Sequence, residues 1–225
     1  MAPKKSKTKT EVVKNLAKGW KKCKMTESDI TALVDERLLQ SHAIIQWHHA
    51  VGEDRQYDGT NEIVLFCDFV ERNLAIPASD FLHALLKCWG IQLHHLTHQS
   101  ILHLSIFTHL CEAFIGIEPH FYVFQHFFFL LPHPNASKPV EVGGAELDLR
   151  PENQDEYLFY QPSGKGIEWK SFWLYIENHQ PSILEWAPKA PKAKGCWASP
   201  SPGGDQVQNL RTTIARLKKV GVTGG

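Results

Sequence analysis

The sequence lacks the short motifs by which many enzymes and zinc proteins are recognised. It contains no GxSxG, P-loop, GxGxxG or HExxH pattern and no pair of adjacent aspartates of the polymerase type. No CxxC pair occurs, which excludes zinc knuckles and zinc ribbons. Together these absences favour a protein that is not an enzyme and that uses no cofactor and no metal ion.

Long apolar segments are also missing. The N-terminus is polar and rich in lysine, unlike the apolar core of a secretory signal. No run reaches the roughly 18 uncharged apolar residues that are needed to span a bilayer, so no membrane contact is expected. The five cysteines are odd in number and scattered, three of them in apolar runs, which is typical of free thiols in a reducing compartment.

Positive charge is concentrated at the N-terminus. Residues 1–24 hold nine lysines and one acid, which leaves 15 basic and 23 acidic residues in 25–225, a formal net charge of −8. Such an arm attracts nucleic acid weakly and without sequence preference, whereas the acidic body does not. The segments "PKKSK" and "GWKKCK" also resemble short nuclear-import signals, so we expect the protein in the nucleus. If they do not act as import signals, a cytoplasmic location is expected. The candidate arm residues for nucleic acid and import are Lys4, Lys5, Lys7, Lys9, Lys21, Lys22 and Lys24.

Periodicity predicts an α+β fold with a mainly helical N-terminal half, a small antiparallel sheet in the C-terminal half and a terminal amphipathic helix. A disordered basic arm over 1–25 precedes a globular domain over 26–186. A linker rich in proline, glycine and lysine covers 187–205, and the terminal helix covers 206–225. The hairpin predicted around Gly143–Gly144 and the buried aromatic helix predicted over 120–131 belong to the globular domain.

The stretch "IQLHHLTHQSILHLSIFTHLCEAF" carries five histidines and raises the question of a metal site or a catalytic cluster. Thr97 is a candidate N-cap and Gly116 a candidate terminator, so a helix is expected over about 98–115. At 100° per residue, His103 falls on the apolar face and His109 on the opposite, polar face. Helical metal ligands lie three or four residues apart, so this helix presents no metal site by itself. A metal-binding protein or enzyme would require distant histidines to converge.

Residues 167–178 alternate in polarity, with Trp169, Trp173 and Tyr175 in register on one side. We expect a strand with an aromatic face. If that face is exposed, it is a candidate surface for stacking on single-stranded nucleic acid beside the linker lysines.

A family resemblance rests on several motifs. The chain contains an opening at Glu62–Phe66, the segment "NLAIP", the turn "LHHLTHQS", the signature "LCEAFIGIEPHF" and the later block "EWKSFWLY". These closely resemble the gypsy-type transposon domain of plants, over about residues 26–225. The copy departs from the pattern at His98 and Gln99, where proline and asparagine are usual, and it resembles a shortened version of longer family members.

The resemblance implies a retrotransposon-derived protein, gag-like or accessory, without residues for strand transfer. Such a protein would act through self-association, through contacts with other transposon-derived proteins, or through weak contacts with nucleic acid. Two alternatives stay open. One is a metal-binding protein or enzyme built on the histidines, and the other is a degenerate open reading frame without a selected function.

Overall fold

The computed structural model describes residues 19–54, 61–133, 140–158, 168–177, 190–201 and 204–220. Within these ranges the chain forms helices and two small antiparallel sheets, which confirms the α+β class. The helices are α1 (Glu27–Asp35), α2 (Cys67–Glu71), α3 (Asp80–Trp89), α4 (His98–His109), α5 (Phe121–Phe127), α6 (Gly195–Ala198) and α7 (Asp205–Lys219). The strands are β1 (Trp47–His49), β2 (Glu62–Phe66), β3 (Phe128–Pro132), β4 (Ala145–Leu149) and β5 (Trp173–Glu177).

The larger sheet has the strand order β1-β5-β2, with both outer strands antiparallel to β5. Ile176 pairs with Trp47 on one side and with Ile63 on the other. The sequence pattern predicted a sheet in the C-terminal half. Two strands of this sheet, β1 and β2, come from the N-terminal half instead. The central strand β5 is buried on both faces over its first four residues. This pattern is typical of a covered strand rather than of a half-exposed one.

Helix boundaries follow the predicted caps. The hydroxyl of Thr97 accepts a hydrogen bond from the Ser100 backbone at the start of α4, and Ser79 caps α3 in the same way through Leu82. The helical path of α4 continues as a π-helical turn over Leu110–Ile115 and ends at Gly116, whose φ of 73° is left-handed. The helix expected over about 98–115 is therefore confirmed.

The smaller sheet corrects two predictions. The aromatic run does not stay helical through residue 131, because α5 ends at Phe127 and the chain continues directly into strand β3. Strand β4 pairs with β3, with Leu147 opposite Leu130, instead of closing a hairpin on residues 140–142. An apolar, aromatic run fits a buried helix and a buried strand equally well, and the partner strand β4 lies outside that run, so local periodicity did not identify the pairing.

The C-terminal elements pack onto the body. Helix α7 buries Val207, Leu210, Ile214 and Leu217, the four residues of its predicted apolar stripe, against the π-helical turn and α5. The described part of the expected linker also packs, since Trp197 on α6 is only 2% exposed. No helix in the described part of the chain has the length and apolar content that a membrane crossing requires.

Candidate nucleic-acid interface

The last residues of the lysine arm form a segment that we call the anchor, Gly19–Met25. Its side chains divide by polarity. The apolar ones are buried in the main core: Trp20, Cys23 and Met25. The basic ones are exposed to solvent: Lys21, Lys22 and Lys24. The anchor therefore joins a lysine-rich surface to the core.

Backbone hydrogen bonds fix the anchor to neighbouring segments. The Cys23 amide donates to the Glu53 carbonyl at 2.8 Å, and the Lys24 amide donates to the Ser171 carbonyl at 2.8 Å. The indole of Trp173 donates to the Lys21 carbonyl at 3.2 Å. These bonds satisfy main-chain groups that would otherwise need water, so the anchor is held in one conformation.

Trp20 supplies the apolar contact of the anchor. Its ring is stacked on Phe66, with centroids 6.0 Å apart, and meets the edge of Trp173 at 5.5 Å. It also lies 5.7 Å from the ring of His94. Burial of an aromatic side chain is a strong stabilising contribution, so Trp20 explains why this lysine-rich stretch packs at all.

The structure moves the boundary of the expected disordered arm. Residues 19–25 belong to the packed body, because their apolar side chains and main-chain bonds are satisfied there. The predicted arm residues Lys4, Lys5, Lys7 and Lys9 lie outside the described residues. The anchoring role of Trp20 was not predicted, although a tryptophan in a lysine-rich segment was a usable signal.

Charges around the anchor are mixed. The ammonium of Lys24 lies 2.8 Å from a carboxylate oxygen of Glu168 at an exposed position, where an ion pair contributes little to stability. Lys170 donates to the Val142 carbonyl at 2.7 Å, and burial followed by the nearby Lys21 lowers its pKa. Burial and the positive charge of Lys21 thus both disfavour the charged form of Lys170.

The predicted aromatic surface is wrong. Trp169 is 7% exposed, Trp173 is fully buried and Tyr175 is 4% exposed. Strand β5 lies between two neighbours with both faces covered, so neither side of its alternating pattern reaches solvent. The Tyr175 hydroxyl donates to the Glu53 carboxylate at 2.6 Å, and the ring of Trp169 packs on Phe69. These side chains are core residues and offer no platform for bases.

A buried polar cluster lies beneath Trp20. His94 and His95 are 5% and 4% exposed, and their rings lie 4.4 Å apart. His94 Nε2 is 3.6 Å from Glu141 Oε1, and the Glu141 side chain is also buried. Burial, and after it the neighbouring His95, hold the pKa of His94 well below its ordinary value. His94 is therefore a neutral core residue at physiological pH.

The other histidines of this stretch point in different directions. His103 lies on the apolar face and its pKa is lowered by burial, while His109 is exposed, as the helical geometry predicted. His98 is half-buried against the ring of Trp169, with centroids 5.4 Å apart. Among the residues described here, no group of three or more histidine, cysteine, aspartate or glutamate side chains has the arrangement of a metal site.

The thiols of Cys23, Cys67 and Cys111 are poorly reactive. Burial raises the pKa of Cys23, and it raises the pKa of Cys111 to about 12. Burial also raises the pKa of Cys67, whose thiol donates to Glu71. A thiol in this state is a poor nucleophile because the thiolate is scarce at neutral pH.

One apolar groove is prominent on the described surface. It has a volume of about 780 Å³ and lies between the 73–82 segment and the C-terminal part of α4, with Leu217 of α7 at its edge. Phe114 on its lining is 42% exposed. The groove has no convergent set of titratable groups beyond His109 and Glu112.

The family comparison concerns the segment that contains α3, α4 and α5. Residues 63–132 match the family model described as "Putative gypsy type transposon". This segment, called the gypsy-type segment below, is similar to gypsy-type transposons. The match confirms the resemblance to the family over residues 63–132, which is less than half of the chain, and the motif block "EWKSFWLY" lies outside it. No curated protein and no solved structure matches the chain.

The gypsy-type segment does not contain the lysine arm or the anchor. It supplies β2, which pairs with β5, and it supplies Phe66, on which Trp20 packs. The anchor therefore joins the lysine-rich N-terminus directly to the matched segment.

Proposed function

We propose that this protein is a non-catalytic, retrotransposon-derived protein, gag-like or accessory, that holds nucleic acid weakly and without sequence preference through its lysine arm. The observation that carries the proposal is the anchor. Exposed Lys21, Lys22 and Lys24 lie on a segment that Trp20 and main-chain hydrogen bonds fix to the body.

Electrostatics supports the arm as the contact. Nine lysines within 24 residues provide charge for phosphate neutralisation, whereas residues 25–225 carry a formal −8 and repel phosphate. Lysine ammonium groups on a flexible stem lack the planar fork that reads base edges, so sequence preference is not expected. Burial of the aromatic residues on β5 supports the same conclusion, because it removes the competing stacking surface.

A non-catalytic role is supported by the state of the candidate catalytic groups. The thiols of Cys23 and Cys111 have raised pKa values, and His94 is buried next to Trp20. A general base must reach the proton that it abstracts, and a buried imidazole does not. The proposal also includes nuclear accumulation through the arm and contact with a second copy of the chain, for which the apolar groove with exposed Phe114 is the supporting feature.

A deletion that tests the arm must leave the anchor intact. Deleting residues 1–24 would remove Trp20 and Cys23 from the core and would confound binding with unfolding. The informative variant therefore lacks residues 1–18 only, and its matched control is the full chain with Lys4, Lys5, Lys7, Lys9, Lys14 and Lys18 changed to glutamine.

Binding is measured by fluorescence anisotropy with labelled single-stranded DNA, single-stranded RNA and a random duplex at low salt. We expect the deletion and the glutamine variant to lose affinity equally for all three probes, and a fluorescent fusion of either to show reduced nuclear enrichment, because Lys21, Lys22 and Lys24 remain in both. Light scattering on the same samples reports self-association. Unchanged affinity in both variants would contradict the proposal and would place the contact on the body.

A further inference from the structure

Two cysteines outside the site described above lie side by side. Cys88 is near the end of α3 and Cys196 is on α6, 108 residues away along the chain. The Cys196 thiol donates to the Cys88 carbonyl oxygen at a sulfur-to-oxygen distance of 3.7 Å. The structure thus brings the sulfur of one cysteine to the main chain of the other.

Several contacts hold this juxtaposition in place. The indole of Trp197 donates to the Trp89 carbonyl at 2.9 Å, and the Gln125 side chain donates to the Cys196 carbonyl at 3.4 Å. The last carbonyls of a helix have no intrahelical donor, so Cys196 and Trp197 together complete the C-terminus of α3. The Arg150 guanidinium donates to the carbonyls of Ala198 and Ser199, immediately after them.

These two cysteines also differ from the others in access. Cys88 is exposed and Cys196 is half-buried, whereas Cys23 and Cys111 are buried. Cys67 is half-buried, and its thiol donates a hydrogen bond to the Glu71 carboxylate within the same helix. A soluble thiol reagent therefore reaches Cys88 first, and the sulfur of Cys196, on another element, lies at the Cys88 carbonyl oxygen.

We propose that Cys88 and Cys196 form a reversible disulfide, with a small-molecule disulfide such as oxidised glutathione as the oxidant. The Cys88 thiolate attacks one sulfur of the oxidant and releases one glutathione thiolate. The Cys196 thiolate then attacks the Cys88 sulfur of the mixed disulfide and releases the second glutathione. Two protein thiols are oxidised, one glutathione disulfide is reduced, and the two cysteine protons end on the two glutathione thiols.

The bond has a structural consequence. It requires rotation of the Cys196 side chain from the Cys88 carbonyl to the Cys88 sulfur, and it joins α6 covalently to α3. In the oxidised state the disulfide joins α6, in the C-terminal part of the chain, covalently to α3 of the gypsy-type segment. In the reduced state only the hydrogen bonds and the packing of Trp197 connect them.

The rate should depend on pH in a defined direction. Partial burial, followed by the neighbouring Cys196, raises the pKa of the exposed Cys88, whereas Lys194 lowers it. Because the thiolate is the attacking species, the reaction should be slow near neutrality and should accelerate as the pH rises.

The test treats the folded full chain with oxidised glutathione, then alkylates it with N-ethylmaleimide in denaturant so that the buried thiols also react, and maps the products by mass spectrometry. Cleavage after aromatic residues separates Cys88 from Cys111, because Phe107 lies between them. The expected result is a fall from five to three alkylated cysteines, a cross-linked peptide pair containing Cys88 and Cys196, and full reversal by dithiothreitol.

Matched variants separate this bond from general oxidation. Cys67→Ser should leave the cross-link unchanged, whereas Cys88→Ser and Cys196→Ser should each abolish it and leave glutathione on the remaining partner. The proposal is overturned if the oxidised wild-type chain keeps five alkylated thiols, pairs other cysteines, or carries glutathione on Cys88 without a cross-link. The wild-type map decides the question even if a serine variant fails to fold.

Discussion

Replacing Trp20 with alanine tests whether the anchor is part of the folded body. Trp20 is 7% exposed and contacts Phe66, Trp173 and His94. Its indole nitrogen has no hydrogen-bond partner among the described residues, so the loss comes from burial and ring packing. Deletion of a buried tryptophan typically costs about 3–5 kcal/mol, and the terminal position of Trp20 places the expected cost near the lower end, about 3 kcal/mol.

The assay is urea denaturation followed by far-ultraviolet circular dichroism, with Lys22→Ala as the matched control. Lys22 is exposed and adjacent, so its replacement should change the free energy of unfolding by less than about 0.5 kcal/mol. Hydrogen exchange adds a local readout, because the amides of Cys23 and Lys24 are bonded to the Glu53 and Ser171 carbonyls. A loss below about 1 kcal/mol in Trp20→Ala, with those amides already exchanging freely in the wild type, would refute the anchoring of residues 19–25.

Two further predictions concern groups inside the body. Burial lowers the folded-state pKa of His103, so the unfolded chain takes up the proton first and stability is lost as the pH falls from about 6.5 toward the folded-state pKa. His103→Leu should therefore flatten the fall in melting temperature between pH 7 and 5, and an unchanged slope would contradict the burial argument. Arg150→Met keeps an unbranched apolar stem but removes the three donors to Gln125, Ala198 and Ser199. We expect a loss of about 2–4 kcal/mol in urea and faster proteolysis near residues 190–201, and normal protection there would show that the contacts of Cys196 and Trp197 hold α6 without Arg150.

Local chemistry made several elements predictable from sequence. Thr97, Ser79 and Gly116 act at helix ends through their own side chain or backbone, so their roles are visible in a short window. The apolar stripe of α7 is periodic and was predicted in full. The polar position of His109 follows from the same helical geometry.

Non-local packing explains what the sequence pattern did not predict. Whether Trp173 faces solvent depends on β1 and β2, which approach β5 from a distant part of the chain. The change from helix to strand after Phe127 likewise depends on pairing with β4. Trp20 becomes an anchor only because Phe66 and Trp173 form its pocket, and no window of the sequence contains all three.

The central claim, that the lysine arm is the nucleic-acid contact, is tested most directly by the salt dependence of binding. The measurement is the slope of the logarithm of the binding constant against the logarithm of salt concentration, for a random DNA duplex and for the chain with and without residues 1–18. Nine lysines set a limit of about −8 for the full chain, and the three that remain at Lys21, Lys22 and Lys24 set a limit of about −3 after deletion. We predict a steep slope for the full chain and a much shallower one, with weaker binding, for the deletion. A shallow slope for the full chain, or an equally steep slope after deletion, would contradict the account.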